Sequence, residues 1–160
     1  IHMQQIFNIL GADVFVSLFI AMGLGIAIGV ERYLAGKTAG VRTYTLVSMG
    51  SALFVIISQI ITSRFAGQTF DPMRMAAQII AAVGFLGVGA IFHKDNQVSG
   101  VTTAAGLWVS AGVGMACGFG LYSLAIMATL LTLFTFIVLW FIEKLIRKFS
   151  RQDDTTNHSL

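Results

Sequence analysis

Residues 96–142 read NQVSGVTTAAGLWVSAGVGMACGFGLYSLAIMATLLTLFTFIVLWFI and contain no Asp, Glu, Lys, Arg or His. A helix needs roughly 20 apolar residues to cross ~30 Å of hydrocarbon, so this run is too long for one crossing and suits two. Gly118-Phe119-Gly120 divides it, because two glycines loosen the backbone there. The division sets the number of crossings, and with it the side on which each terminus lies.

Working outward, three further stretches lack charge: Val14–Val30, Thr43–Ser63 and Met75–Phe92. Each has the length of one crossing. The sequence therefore predicts an all-α membrane protein, a bundle of five transmembrane helices with spans near 12–31, 44–63, 73–92, 102–118 and 121–143. Strands of a membrane barrel would be shorter and alternate in polarity, a pattern absent here. Composition agrees: 56% of residues are hydrophobic and 11% charged, against about 25% charged in soluble domains, and the mean hydropathy is +0.84. One proline among 160 residues excludes a proline-rich disordered chain. The single cysteine, Cys117, excludes a disulfide framework or a zinc site built on cysteine.

Charge then orients the bundle. Arg32, Lys37, Arg42, Lys94, Lys144, Arg147, Lys148 and Arg151 fall on one side of a five-span chain, and Arg64 and Arg74 on the other. By the positive-inside rule the first set is cytoplasmic, which puts the N-terminus in the periplasm and the C-terminus in the cytoplasm. The net charge of +3 is a topology signal and not a nucleic-acid footprint. Tyr44 and Trp140 fall near the expected cytoplasmic boundary and Tyr122 near the outer one, where aromatic anchors belong. The reading gives residues 1–11 as an N-terminal segment opening on a cloning remnant, Ile1-His2-Met3, then 12–149 as the transmembrane domain. Residues 150–160 are expected to be an unstructured polar tail.

Small residues recur every four positions at Ala21, Gly25 and Gly29, and at Gly106, Ser110, Gly114 and Gly118. Gly84, Gly87 and Gly89 crowd the third span. Such rows let helix backbones approach closely, and packing within the bundle is the favoured reading over the seam of a homo-oligomer.

Two polar constellations stand out. On the outer side Asp71-Pro72 has the form of a helix start, a capping carboxylate followed by proline at the first helical position. Asp71, Arg74 and Gln78 then share one face; they are either a cap paired with an arginine or an outer ion or partner site. On the cytoplasmic side Glu31, Arg32, Lys37 and Arg42 surround the first loop. They are either a neutralised salt-bridge cluster under the bundle or positive-inside loop charge attracted to anionic lipid; Glu31 is the harder to dismiss, since an acid has no part in the topology rule. No ionisable residue sits midway along a span, where coupled transporters usually place one. No catalytic constellation, metal-ligand set or cofactor motif is visible, so an enzyme is not expected.

The segments Gly29-Val-Glu-Arg32, Gly36-Lys-Thr-Ala-Gly-Val-Arg-Thr43, Gly50-Ser-Ala-Leu-Phe54 and Asp71-Pro-Met-Arg-Met-Ala-Ala-Gln-Ile79 continue into Gly84-Phe-Leu-Gly-Val-Gly89, Gly100-Val-Thr-Thr-Ala-Ala105 and Leu107-Trp108. In order and spacing they resemble the MgtC/SapB family of bacterial inner-membrane proteins. One departure is Ala82, where the family pattern has glycine, and a slightly looser helix contact is expected there. Longer members add a cytoplasmic domain after the fifth helix, which this chain is expected to lack.

The resemblance implies a multi-pass inner-membrane protein linked to magnesium limitation, acid stress or virulence. It further implies a modulator of another membrane protein, such as ATP synthase or a sensor kinase. The alternative is an oligomeric transporter or channel for a cation or small solute.

Overall fold

The computed structural model describes residues 12–64, 71–94 and 97–157. The N-terminal segment 1–11, with the expected cloning remnant, lies outside them. The chain forms α1 (Ala12–Leu34), α2 (Val41–Arg64), α3 (Pro72–Ala90), β1 (Phe92–Lys94), β2 (Gln97–Ser99), α4 (Val101–Gly118) and α5 (Tyr122–Asn157). All five helices carry a stretch long and apolar enough to cross a membrane.

Two features differ from expectation. A small antiparallel hairpin, Phe92 opposite Ser99 and Lys94 opposite Gln97, joins α3 to α4 in a chain expected to be all-α. Helix α5 also continues to Asn157, through the segment read as unstructured, because no glycine or proline follows Gly120 to break it.

Glycines set both tight breaks. Gly36, at φ +65°, ends α1: its N–H donates to the Tyr33 carbonyl and the Lys37 N–H to that of Arg32. Gly120, at φ +75°, ends α4 in the same way, with the Leu121 N–H reaching back to the Ala116 carbonyl at 2.8 Å. Both are Schellman caps, which need a left-handed residue just past the helix.

Helix α4 is the centre, in contact with the other four. Helix α2 is held between α1 and α4 by the glycine rows. A Cβ on Gly25 would lie 2.8 Å from the Thr45 Cα, and one on Gly29 2.6 Å from the Val41 Cα. From the other side a Cβ on Gly114 would overlap the Ser48 carbonyl, and one on Gly118 would lie 2.8 Å from the Val55 Cβ. Gly106 meets the Tyr44 ring and hydroxyl. Side-chain hydrogen bonds fill the same seams. Ser48 Oγ donates to the Ala21 carbonyl at 2.8 Å, Ser110 Oγ to the Tyr44 carbonyl at 3.0 Å, and Tyr44 Oη to the Thr103 carbonyl at 3.1 Å. Each such bond contributes about 0.6 kcal/mol in a membrane; the close backbone approach adds dispersion along the full length.

Tyr44 is thus a correction. It is fully buried between helices rather than anchored at the lipid boundary. Tyr122 shares a 2.8 Å hydrogen bond with the buried Ser17 hydroxyl, tying α5 to α1. Gly84 is a second correction: a Cβ there would meet nothing within 4 Å, whereas Gly87 faces Ala104 across the α3–α4 seam. Ala82 is exposed, so its departure from the family pattern loosens no contact in the bundle.

Gly114→Ala should destabilise the detergent-solubilised protein by about 1–3 kcal/mol through overpacking. Gly112→Ala, where a Cβ has open space, should be neutral or stabilising by up to ~1 kcal/mol from helix propensity. Thermal unfolding of the two variants side by side checks the assignment; equal midpoints would refute it.

Candidate functional site

The Asp71 end of the bundle is simple chemistry. Asp71 sits in extended conformation as the N-cap of α3, its carboxylate accepting the Met73 N–H at 2.9 Å, with Pro72 next in the first turn. Arg74 and Gln78 share its face and are exposed. No Asp71–Arg74 ion pair forms, so the arginine half of the sequence reading is not realised. The carboxylate is occupied by the backbone, which leaves the guanidinium and the amide presented outward.

The other end is more constrained. Arg32, in the last turn of α1, keeps only 3% of its side-chain surface exposed, and Glu31 16%. Their side chains form a forked pair, with Arg32 Nη2 donating to Glu31 Oε1 at 2.7 Å and Nε to Oε2. The guanidinium carbon also lies 3.5 Å from the centre of the Phe136 ring of α5. Arginine suits this position because its planar cation can stack on a ring while its edge binds a carboxylate. This is the one ion pair among the described residues; Lys37 and Arg42 are exposed and outside it. The four-residue cluster reduces to a buried couple with two peripheral cations.

Beside this couple opens a cleft of about 1070 Å³ between α1, α4 and α5. Glu31, Arg32, Lys37 and Glu143 stand at its charged end, and Ala27, Ala105 and Val109 are among the residues along its apolar length. Thr132 and Thr135 also line it, each hydroxyl donating to the carbonyl four residues back. Sequence reasoning treated Glu143 and Phe136 as parts of the fifth span only. Nothing in one-dimensional spacing links position 32 to 136, so the pairing became visible with the fold. Among the described residues no three His, Cys, Asp or Glu side chains gather as a metal site.

The MgtC family model matches residues 18–145, from within α1 through α2, α3 and α4 and well into α5. The chain belongs to the MgtC family. It is 45% identical over 112 residues to the Escherichia coli K12 protein named "Putative magnesium transporter YhiD", covering 67% of this chain and 51% of that one. It is 47% identical over 106 residues to Protein MgtC of Brucella abortus, covering 66% and 42% respectively. An uncharacterized Haemophilus influenzae protein is 42% identical over 125 residues, covering 75% and 52%. The chain thus spans about half the length of the relatives it matches. No solved structure matches it.

Two expectations follow for this family member. Arg32→Ala leaves a largely buried carboxylate unpaired and should cost about 3–5 kcal/mol, while Phe136→Leu removes only the ring and should cost about 1–2 kcal/mol. Detergent unfolding curves check the order; a loss below 1 kcal/mol for Arg32→Ala would mean that water replaces the guanidinium. At the opposite end Asp71→Asn keeps a good cap and should leave stability within a few tenths of a kcal/mol, while Asp71→Ala should cost about 0.5–2 kcal/mol. Any cellular defect of Asp71→Asn then reports the charge and not the helix.

Proposed function

We propose that this protein is a small regulator that modulates another membrane protein, docking through the outward face of α3. One observation carries the reading. Across the other four helices, the more apolar the span, the less of it is buried, from α5 at 11% through α1 at 28% and α2 at 33% to α4 at 56%. That is the order expected when lipid covers what protein does not. Helix α3 breaks it: it is less apolar than α2, yet only 22% buried. Its outward face presents Arg74, Gln78, Ala77, Ala81 and Gly84, polar at one end and small in the middle, and then the exposed Phe85 and Val88. Phe85 and Val88 suit lipid or protein alike, whereas at Ala77, Ala81 and Gly84 a partner helix gains close approach and at Arg74 and Gln78 hydrogen bonds.

The remaining placement follows the charge count. Eight of ten Lys and Arg residues lie on the Lys37 side, so that side is cytoplasmic, with the N-terminus in the periplasm of a bacterial inner membrane. Resemblance to the family makes adaptation to magnesium limitation, acid stress or virulence the setting. The second reading, a cation transporter, has the name of the YhiD relative and the outward charge of Arg74 and Asp71 to consider. A single carboxylate already engaged by a backbone N–H is far from the six oxygens or more that a hard cation takes, so the regulator reading ranks first.

Crosslinking and affinity purification from native membranes test it. Gly84→Leu and Ala81→Leu place bulk on the open face and should abolish recovery of a stoichiometric partner while leaving the unfolding midpoint unchanged. Undiminished recovery from both would sink the docking face. Cation flux in proteoliposomes of the purified protein that falls in Asp71→Asn would favour the transporter instead.

A further inference from the structure

We infer that the cleft between α1, α4 and α5 is a binding site for one phospholipid with a zwitterionic headgroup, its phosphate toward Lys37 and its ammonium toward Glu143. This goes beyond the regulator reading and does not depend on it, since α3 takes no part in the cleft.

Dimensions come first. Val101 and Val109 both line the cleft and are eight residues apart on α4, about 12 Å along a helix axis. That is close to the depth of one leaflet of a ~30 Å hydrocarbon core. Its volume of about 1070 Å³ matches the top of the ~300–1,000 Å³ range of drug-sized sites, as an occupant with long chains requires. Small side chains from two helices, Ala27 and Ala105 among them, open the trough. The bulkier Ile137 and Leu139 flank it from α5.

Position in the membrane comes second. Trp140 lines the charged end and is half exposed, with the Lys144 ammonium 5.2 Å from its ring centre. A tryptophan beside a lysine marks the headgroup level. The cleft therefore starts among headgroups and runs into acyl chains, the path of a lipid lying parallel to the helices.

Charge selects the headgroup. Glu31 and Arg32 neutralise each other and the Lys144 ammonium lies over the Trp140 ring at the edge, which leaves Lys37 and Glu143 as the cation and the anion among the described residues that line the mouth. An anionic headgroup would satisfy the lysine and repel the glutamate; a headgroup with phosphate and ammonium satisfies both. A second protein helix is a poorer fit, because the charged mouth would strand Lys37 and Glu143 against apolar surface.

Native mass spectrometry of the full chain, released from nanodiscs of phosphatidylethanolamine and phosphatidylglycerol in equal amounts with identical chains, tests the site. One phospholipid per chain is expected, with phosphatidylethanolamine retained at least fivefold over phosphatidylglycerol. Lys37→Gln combined with Glu143→Gln, both on exposed side chains, should bring that ratio near one. Ala105→Phe should empty the trough. Should Ala105→Phe fail to fold, the surface double variant still decides. Equal retention, preference for phosphatidylglycerol in the wild type, or a second copy of the chain in place of lipid would overturn the inference.

Discussion

The bundle depends on how closely the backbone of α2 can approach its two neighbours. In hydrocarbon there is no hydrophobic gain from helix association, so contact must come from dispersion at short range and from hydrogen bonds. Gly25 and Gly29 on α1, and Gly114 and Gly118 on α4, each remove the one atom that would hold α2 away. Ser48 uses the space twice, with its hydroxyl on the Ala21 carbonyl and its own carbonyl against Gly114. Once these three helices are locked, α4 is the centre, and α3 and α5 fall to its remaining sides. The burial of Arg32 is a consequence: α5, tied to α1 by Ser17 and Tyr122 at one end, brings Phe136 over the guanidinium nearer the other.

Much of this was legible in the chain because two of its signals are local. Uncharged runs of defined length mark crossings, and a small residue every fourth position marks a face that can be approached. Which helix approaches that face is not local. Gly84 and Gly87 looked equivalent in the sequence, yet Gly87 faces Ala104 and Gly84 faces outward. Tyr44 sat at a span boundary and so read as an anchor; its burial follows from Gly106 on α4, sixty-two positions away. The outer motif divided in the same manner. Asp71 as a cap needs only its own next few residues and was readable, whereas its pairing with Arg74 depended on side-chain rotamers that spacing alone does not set.

Charge shows a similar split. Counting Lys and Arg by side needs only the span boundaries and treats every cation alike. The fold distinguishes them: Arg32 is buried and paired, while Lys37 and Arg42 are exposed and outside that pair. The acid that the topology rule could not explain, Glu31, turns out to be what allows Arg32 to be buried, since an unpaired guanidinium at that depth would be costly.

The proposed docking face and the lipid cleft lie on different sides of α4, and the glycine contacts decide how they can communicate. Coupling between two sites requires an element with two arrangements that both sites bias. Helix α4 is a poor candidate, because turning or sliding it would drive Gly106, Gly114 and Gly118 out of register with Tyr44, Ser48 and Val55, where there is no room for a side chain. Helix α3 is held more lightly. Its buried side is Ala76, Ile79, Val83 and Gly87, and along its length the glycine contact is an ordinary 3.4 Å from Gly87 to Ala104; the tight approach is confined to its last residue, where Gly100 closes on the Ala90 carbonyl beside the β1–β2 hairpin. On the proposed reading, a partner at the docking face would be accommodated by a shift of α3 against the α1–α2–α4 core, and a lipid in the cleft would act on stability rather than on that face.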